Sequence, residues 1–178
     1  MKKYTYILVV WLIGHIGAIN AQQDNSDNKI FRFLTPGEET KALFHNTATN
    51  TAELSKVGAV ENKGEAYLQS FILKGIEGKK GKVLIASVKS PEYFLKVDRS
   101  SNTVAFAKIT TKDVTEFTWE IVVNSNKDAA LIAIQTAAKN RYAIQKKEDG
   151  VMIANSVAGN RKLDQSFSFR LATIPNVF

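Results

Sequence analysis

The chain has 178 residues, 44% of them hydrophobic and 23% charged, with 24 Lys and Arg against 17 Asp and Glu for a formal charge of +7. It contains no cysteine, which excludes disulfide staples, thiol catalysis and thiolate metal sites. The positive excess favours acidic partners, but the basic residues are mixed with acids and form no long run, so no nucleic-acid partner is expected.

Residues 1–21 have the order of a secretory signal: Lys2 and Lys3, an apolar run from Tyr6 to about Ile19, then small residues ending at Ala21. The run is shorter than a membrane span and is interrupted by His15 and two glycines. A cleaved leader is therefore expected, with no span afterwards and a secreted or periplasmic product. Its removal lowers the formal charge to +5. Residues 22–29, "QQDNSDNK", read as a flexible polar leader, and 30–178 as one domain.

From residue 30 onward the apolar pattern is short and alternating. "KIFRFL", "KVLIASV", "YFLKV", "TVAFAKI", "FTWEIVV", "ALIAIQ", "RYAIQ", "VMIANSV" and "SFSFRLA" are rich in Val, Ile, Phe, Tyr and Thr. Gly, Asn, Asp, Ser or Pro bound them, which predicts an all-β protein. Thr51 to Val60 fits a strand or a short helix; the strand is preferred. Asp149-Gly150 predicts a tight hairpin turn, and "DRSSN" at Asp98 to Asn102 holds the matching place upstream.

The strands recur. Leu84 matches Leu131 at an offset of 47, Phe94 matches Tyr142 at 48, and Val104 matches Val151 at 47. Phe117 matches Phe167, and Trp119 matches Phe169, both at 50; Phe71 precedes Phe117 by 46. "IFRFL", "KALFHN" and "AELSKV" supply a third copy upstream. A period near 47 predicts three repeats of about four strands each. A single copy has one apolar side and cannot bury it alone; three around an axis bury all three together.

This pattern, with the closing motifs "QSFIL", "EFTWEIV" and "QSFSFRL", resembles the β-trefoil superfamily over nearly all of the chain beyond residue 29. The resemblance implies a barrel capped by three hairpins, with an aromatic closing each repeat into the shared core. It also implies a binding role: ricin-type lectins and other carbohydrate-binding modules, protease inhibitors and cytokine-like ligands share the fold. Ricin-type repeats end near Gln-x-Trp, whereas Phe117 and Thr118 precede Trp119 here. By that likeness a sugar site falls in the second repeat, with Tyr93 as stacking platform and Asp98 and Asn102 as hydrogen-bonding partners. Trp119 itself reads as core.

Catalytic signals are sparse. His45 is the one histidine beyond the leader, and it reads as structural rather than as the base of a nucleophilic triad. One histidine cannot build a zinc site of the usual kind, no calcium-loop pattern is present, and the glycines of "GIEGKKGK" fail the phosphate-loop spacing. The expectation is a non-catalytic, lectin-like binding module with no metal and no cofactor, its partner a glycan. The alternative is an extracellular protein partner, met by the loops Thr35 to Thr40, Val88 to Tyr93 or Ala158 to Lys162. Lys79, Lys80 and Lys82 form a candidate polyanion patch if they cluster in space.

Overall fold

The computed structural model describes residues 29–36, 40–58, 63–126, 129–136, 142–147, 152–156 and 165–174. The leader segments 1–21 and 22–28, the Asp149-Gly150 turn and the loop Ala158 to Lys162 lie outside these residues, as does the centre of the Thr35 to Thr40 loop.

Among the described residues, twelve strands join one sheet. They are β1 (Ile30–Leu34), β2 (Lys41–Asn46), β3 (Thr51–Lys56), β4 (Phe71–Ile76), β5 (Lys79–Ser87), β6 (Tyr93–Asp98), β7 (Thr103–Lys108), β8 (Trp119–Asn126), β9 (Ala129–Thr136), β10 (Tyr142–Lys146), β11 (Met152–Ser156) and β12 (Ser168–Ile174). β1 pairs with β12, β12 with β9, β9 with β8, β8 with β5, β5 with β4, and β4 returns to β1. The ring of pairings closes the sheet into a barrel, which removes open edges. The hairpins β2–β3, β6–β7 and β10–β11 lie beyond the barrel and meet one another through β7, at Thr51↔Ala105 and Ile153↔Thr103.

Two asparagines make these junctions possible. Asn50 and Asn102 have φ of 57° and 53°, a left-handed conformation that asparagine tolerates better than most residues. The Asn50 carbonyl accepts the Phe106 amide at 2.7 Å, and the Asn102 carbonyl accepts the Ala154 amide at 2.8 Å. Each hairpin turn is thereby sewn to the strand of the next hairpin.

Alternation puts Phe31, Phe33, Phe71, Leu73, Ile85, Leu95, Val97, Phe106, Trp119, Ile144 and Phe169 in one buried cluster. Phe33 stands 5.8 Å from Phe71 and meets Phe169 edge-on at 6.2 Å; Phe71 stacks on Phe106 at 5.7 Å. Each such side chain stabilises the fold by about 1.5–3 kcal/mol through burial. Trp119 is fully buried, and its indole N–H donates to the Leu95 carbonyl at 2.8 Å. Thr51–Lys56 is a strand, as preferred.

The register of the closing aromatics differs from the sequence alignment. Phe71 and Trp119 each open a strand, and Phe169 is the second residue of β12. These three are fully buried and lie 48 and 50 residues apart, so Phe71 corresponds to Trp119 rather than to Phe117. The positions two residues earlier hold Gln69, Phe117 and Phe167. Phe117 and Phe167 end short 3-10 turns, and Phe167 packs with Ala143 outside the main core. The two "QSF" strings are therefore not equivalent: one leads straight into β4, the other is the turn before β12.

A six-residue helix, α1 (Lys63–Leu68), precedes β4. It is too short to stand alone, and Gln69 ties it down. The Gln69 amide donates to Ser55 Oγ at 2.7 Å and the Lys56 carbonyl at 2.6 Å, and its Oε1 accepts the Gly58 amide at 2.9 Å. Gly58 packs so closely that a Cβ there would sit 3.0 Å from Glu65 Cβ. Buried Arg32 donates to the Gly58 carbonyl at 3.0 Å from beneath.

Candidate functional site

A half-open depression of about 500 Å³ lies on the outer side of the β6–β7 hairpin. One wall is sheet: Lys96 from β6, Arg99 from the turn, and Ala107 and Lys108 from β7. The other is the connection to β8, with Thr110, Thr111, Asp113, Thr115, Glu116 and Phe117. Phe117, 8% exposed, supplies apolar floor.

That connection is held by its own hydrogen bonds. Asp113 Oδ1 accepts the Thr115 amide at 2.9 Å and the Thr115 hydroxyl at 2.5 Å, and the Asp113 carbonyl accepts the Thr111 hydroxyl at 3.0 Å. The Thr118 hydroxyl donates to the Val114 carbonyl at 2.7 Å, one turn back. Arg99 Nε lies 3.8 Å from Glu116 Oε1 and bridges the two walls. The hydrogen bonds from Thr115, with Lys79 and Arg99 nearby, hold the Asp113 carboxyl below its usual range.

The residues singled out in the sequence lie on the β6–β7 hairpin beside this cleft but do not line it. Tyr93 opens β6 and is half-buried against the core; the Lys108 ammonium covers its ring at 5.2 Å, and His45 lies 5.8 Å away. Asp98 closes the same strand. The two are five residues apart, which places them on opposite faces and roughly 16 Å from each other at strand rise. Asp98 Oδ1 accepts the Ser100 amide at 3.0 Å and hydroxyl at 2.6 Å. These bonds, the Ser100 hydroxyl first, lower its pKa to about 2. Asn102 serves the left-handed turn. The structure thus brings Asp98 and Asn102 to one turn and leaves Tyr93 behind Lys108.

Lys79 and Lys80 are exposed at the start of β5, after Gly78 at φ 69°. The β4–β5 register shifts between Gly75 and Ile76, so that Lys80, Gly81 and Lys82 bulge from the ladder. Lys82 sits opposite Glu120 of β8. None of the three lysines lines the cleft.

His45 lies with no exposed surface, stacked on Phe106 at 4.1 Å. Its Nδ1 is 3.0 Å from Ser87 Oγ and its Nε2 is 3.3 Å from Asn50 Oδ1. The order serine, imidazole, amide has the outline of a nucleophilic triad, but Ser87 is also fully buried, and a hydroxyl without exposed surface does not meet a substrate. Asn50 Oδ1 fixes the neutral tautomer with the proton on Nε2, and burial lowers the imidazole pKa. Among the loops, Val88 to Tyr93 is pinned by the Val88 amide on the Ser70 carbonyl at 2.9 Å and the Tyr93 amide on the Ser90 carbonyl at 2.9 Å. The described ends of the Thr35 loop close on Lys41. Among the described residues no cluster of His, Asp and Glu could hold a metal ion, and no helix is long and apolar enough to cross a membrane.

No protein-family model matches the chain, and no curated protein matches it in sequence. Solved structures do match. The BEL β-trefoil superposes with a TM-score of 0.62 at 13% identity, over 88% of this chain and 100% of that one. The fold is β-trefoil-like. The designed threefold-symmetric protein ThreeFoil matches with a TM-score of 0.55 at 15% identity, over 81% of this chain and 99% of that one. An endo-β-galactosidase from Clostridium perfringens matches at 0.61 and 11% identity, over 82% of this chain, which spans 32% of that enzyme.

Sequence reasoning missed Lys96, Arg99, Thr110, Asp113 and Glu116. A signal was present: "KITTKDVTEF" between β7 and β8 is a long polar connection with an Asp-x-Thr turn, and such loops on rigid scaffolds carry function.

Proposed function

We propose that the protein is a secreted, non-catalytic β-trefoil module of three repeats of about four strands, and that it binds a glycan in the cleft beside β6 and β7. The observation that carries this reading is the cleft: cations, carboxylates and threonine hydroxyls over the apolar Phe117 floor, on a wall of paired strands. A sugar ring presents hydroxyls at its rim and C–H groups on its faces, and such a lining meets both. The likeness to about a third of an endo-β-galactosidase supports a module that works beside sugars. The burial of Ser87 and His45 supports a role without catalysis, and the order of residues 1–21 supports export.

A glycan array with the purified protein tests the reading. Binding of a defined glycan that falls at least tenfold in Thr110→Val, but not in a Ser101→Ala control outside the cleft, is the expected result. Absence of binding to any glycan overturns it. The second reading, a protein partner, has its own observation: the Val88 to Tyr93 loop carries Pro91 and is held in one shape by backbone bonds, which lowers the ordering cost of docking.

A further inference from the structure

We infer that the cleft takes an N-acetylated sugar and holds its acetamido group where the first hairpin holds a carboxamide of its own chain. The inference deepens the cleft reading and rests on it. The β2–β3 and β6–β7 hairpins match residue for residue at an offset of 52. Lys41↔Lys56 and Asn46↔Thr51 in one correspond to Tyr93↔Lys108 and Asp98↔Thr103 in the other, and the left-handed Asn50 and Asn102 keep the same offset. Ser55, Lys56 and Gly58 therefore correspond to Ala107, Lys108 and Thr110, which all line the cleft. Gln69 corresponds to Phe117, since each stands two residues before the buried aromatic that opens the next strand.

Beside β2–β3 the place is filled. The buried Gln69 carboxamide donates to Ser55 Oγ and the Lys56 carbonyl and accepts from the Gly58 amide. Beside β6–β7 the connection is four residues shorter, and Phe117 brings no amide. The backbone groups remain. The Phe106 amide points away from β6, to Asn50, so the Lys108 carbonyl two residues on points the same way. The amide of its register partner Tyr93 goes to the Ser90 carbonyl instead. Among the described residues no loop amide or side chain donates to the Lys108 carbonyl, and no loop carbonyl or side chain accepts from the Thr110 amide. One acceptor is lost, because the Ala107 methyl replaces the Ser55 hydroxyl. A side-chain carboxamide has two N–H donors and a secondary amide has one. One open carbonyl, one open N–H and the apolar surface of Ala107 and Phe117 fit a secondary amide that carries a methyl group, as in an N-acetylhexosamine.

Titration of the isotope-labelled full chain with the methyl glycosides of N-acetylglucosamine, N-acetylgalactosamine, glucose and galactose tests this. At least one acetamido sugar is expected to bind about tenfold tighter than its hydroxyl counterpart, with the Thr110 amide proton moving downfield. Thr110→Pro removes that N–H and is expected to lose about tenfold for the acetamido sugar alone; the wild-type comparison decides even where the variant fails to fold. Equal affinity for the hydroxyl counterpart, falling in Thr110→Val, overturns the acetamido inference and leaves the cleft reading intact. Binding of the acetamido sugar with the Thr110 amide unmoved also overturns it, as does a short glutamine peptide bound equally well, which shows a general amide site. No binding of any of these sugars, or of any glycan on the array, overturns both.

Discussion

At the scale of the residue, His45 carries the clearest prediction. Burial lowers its pKa in the folded chain, whereas the unfolded chain binds a proton near pH 6.5. Below that pH the unfolded state holds more protons, so stability present above about pH 6.5 falls as pH drops through the folded pKa. Urea midpoints are expected to decrease between pH 7.5 and pH 5, and His45→Gln is expected to flatten that decrease even as it lowers the midpoint at pH 7.5. An unchanged slope in the variant contradicts the assignment. Asn102 separates a turn role from a ligand role. Asn102→Ala meets the left-handed φ with a β-carbon and should cost about 1 kcal/mol, whereas Asn102→Gly should stay within about 0.5 kcal/mol. If Asn102→Gly instead preserves stability and abolishes glycan binding, its side chain contacts the ligand.

At the scale of the element, two side chains set how strands begin. Trp119 opens β8 and reaches the Leu95 carbonyl of β6; Phe71 opens β4 against Phe33. Phe71→Ala is expected to cost about 3–5 kcal/mol in denaturant melts; a loss under about 1 kcal/mol would contradict its place in the core. Gln69 joins α1 to the end of β3 through three hydrogen bonds, and its side chain is buried. Gln69→Ala leaves the Gly58 amide and Lys56 carbonyl without that partner and is expected to cost about 2–3 kcal/mol, read from the same melts. Most strands were readable in the sequence because alternation of apolar residues is local and the barrel rewards it. Helix α1 was not, since a six-residue helix has little periodicity and is held by the bonds that the adjoining Gln69 makes to Ser55, Lys56 and Gly58. The register of the closing aromatics was misread for a related reason: identical "QSF" letters occupy a strand entry in one place and a 3-10 turn in another, and only the pairing partners tell them apart.

At the scale of the molecule, the β-trefoil-like barrel buries the apolar faces of its strands and of the β2–β3, β6–β7 and β10–β11 hairpins in one cluster, in a chain with no cysteine. It also explains why the site was only partly readable. The sequence pointed to Tyr93, Asp98 and Asn102 together, but strand alternation turns Tyr93 toward the core and away from Asp98. The cleft is made instead by apposition of the β6–β7 hairpin and the connection before β8, residues that lie up to some twenty positions apart and carry no shared motif. The most direct test of the central claim is an amide chemical-shift map of the isotope-labelled protein titrated with the glycan that binds best. The account predicts that the largest shifts fall on Lys96, Arg99, Lys108 and Thr110 to Phe117, with the β2–β3 hairpin unmoved. Shifts confined to the Val88 to Tyr93 loop or to the β4–β5 bulge, with the cleft silent, would contradict it.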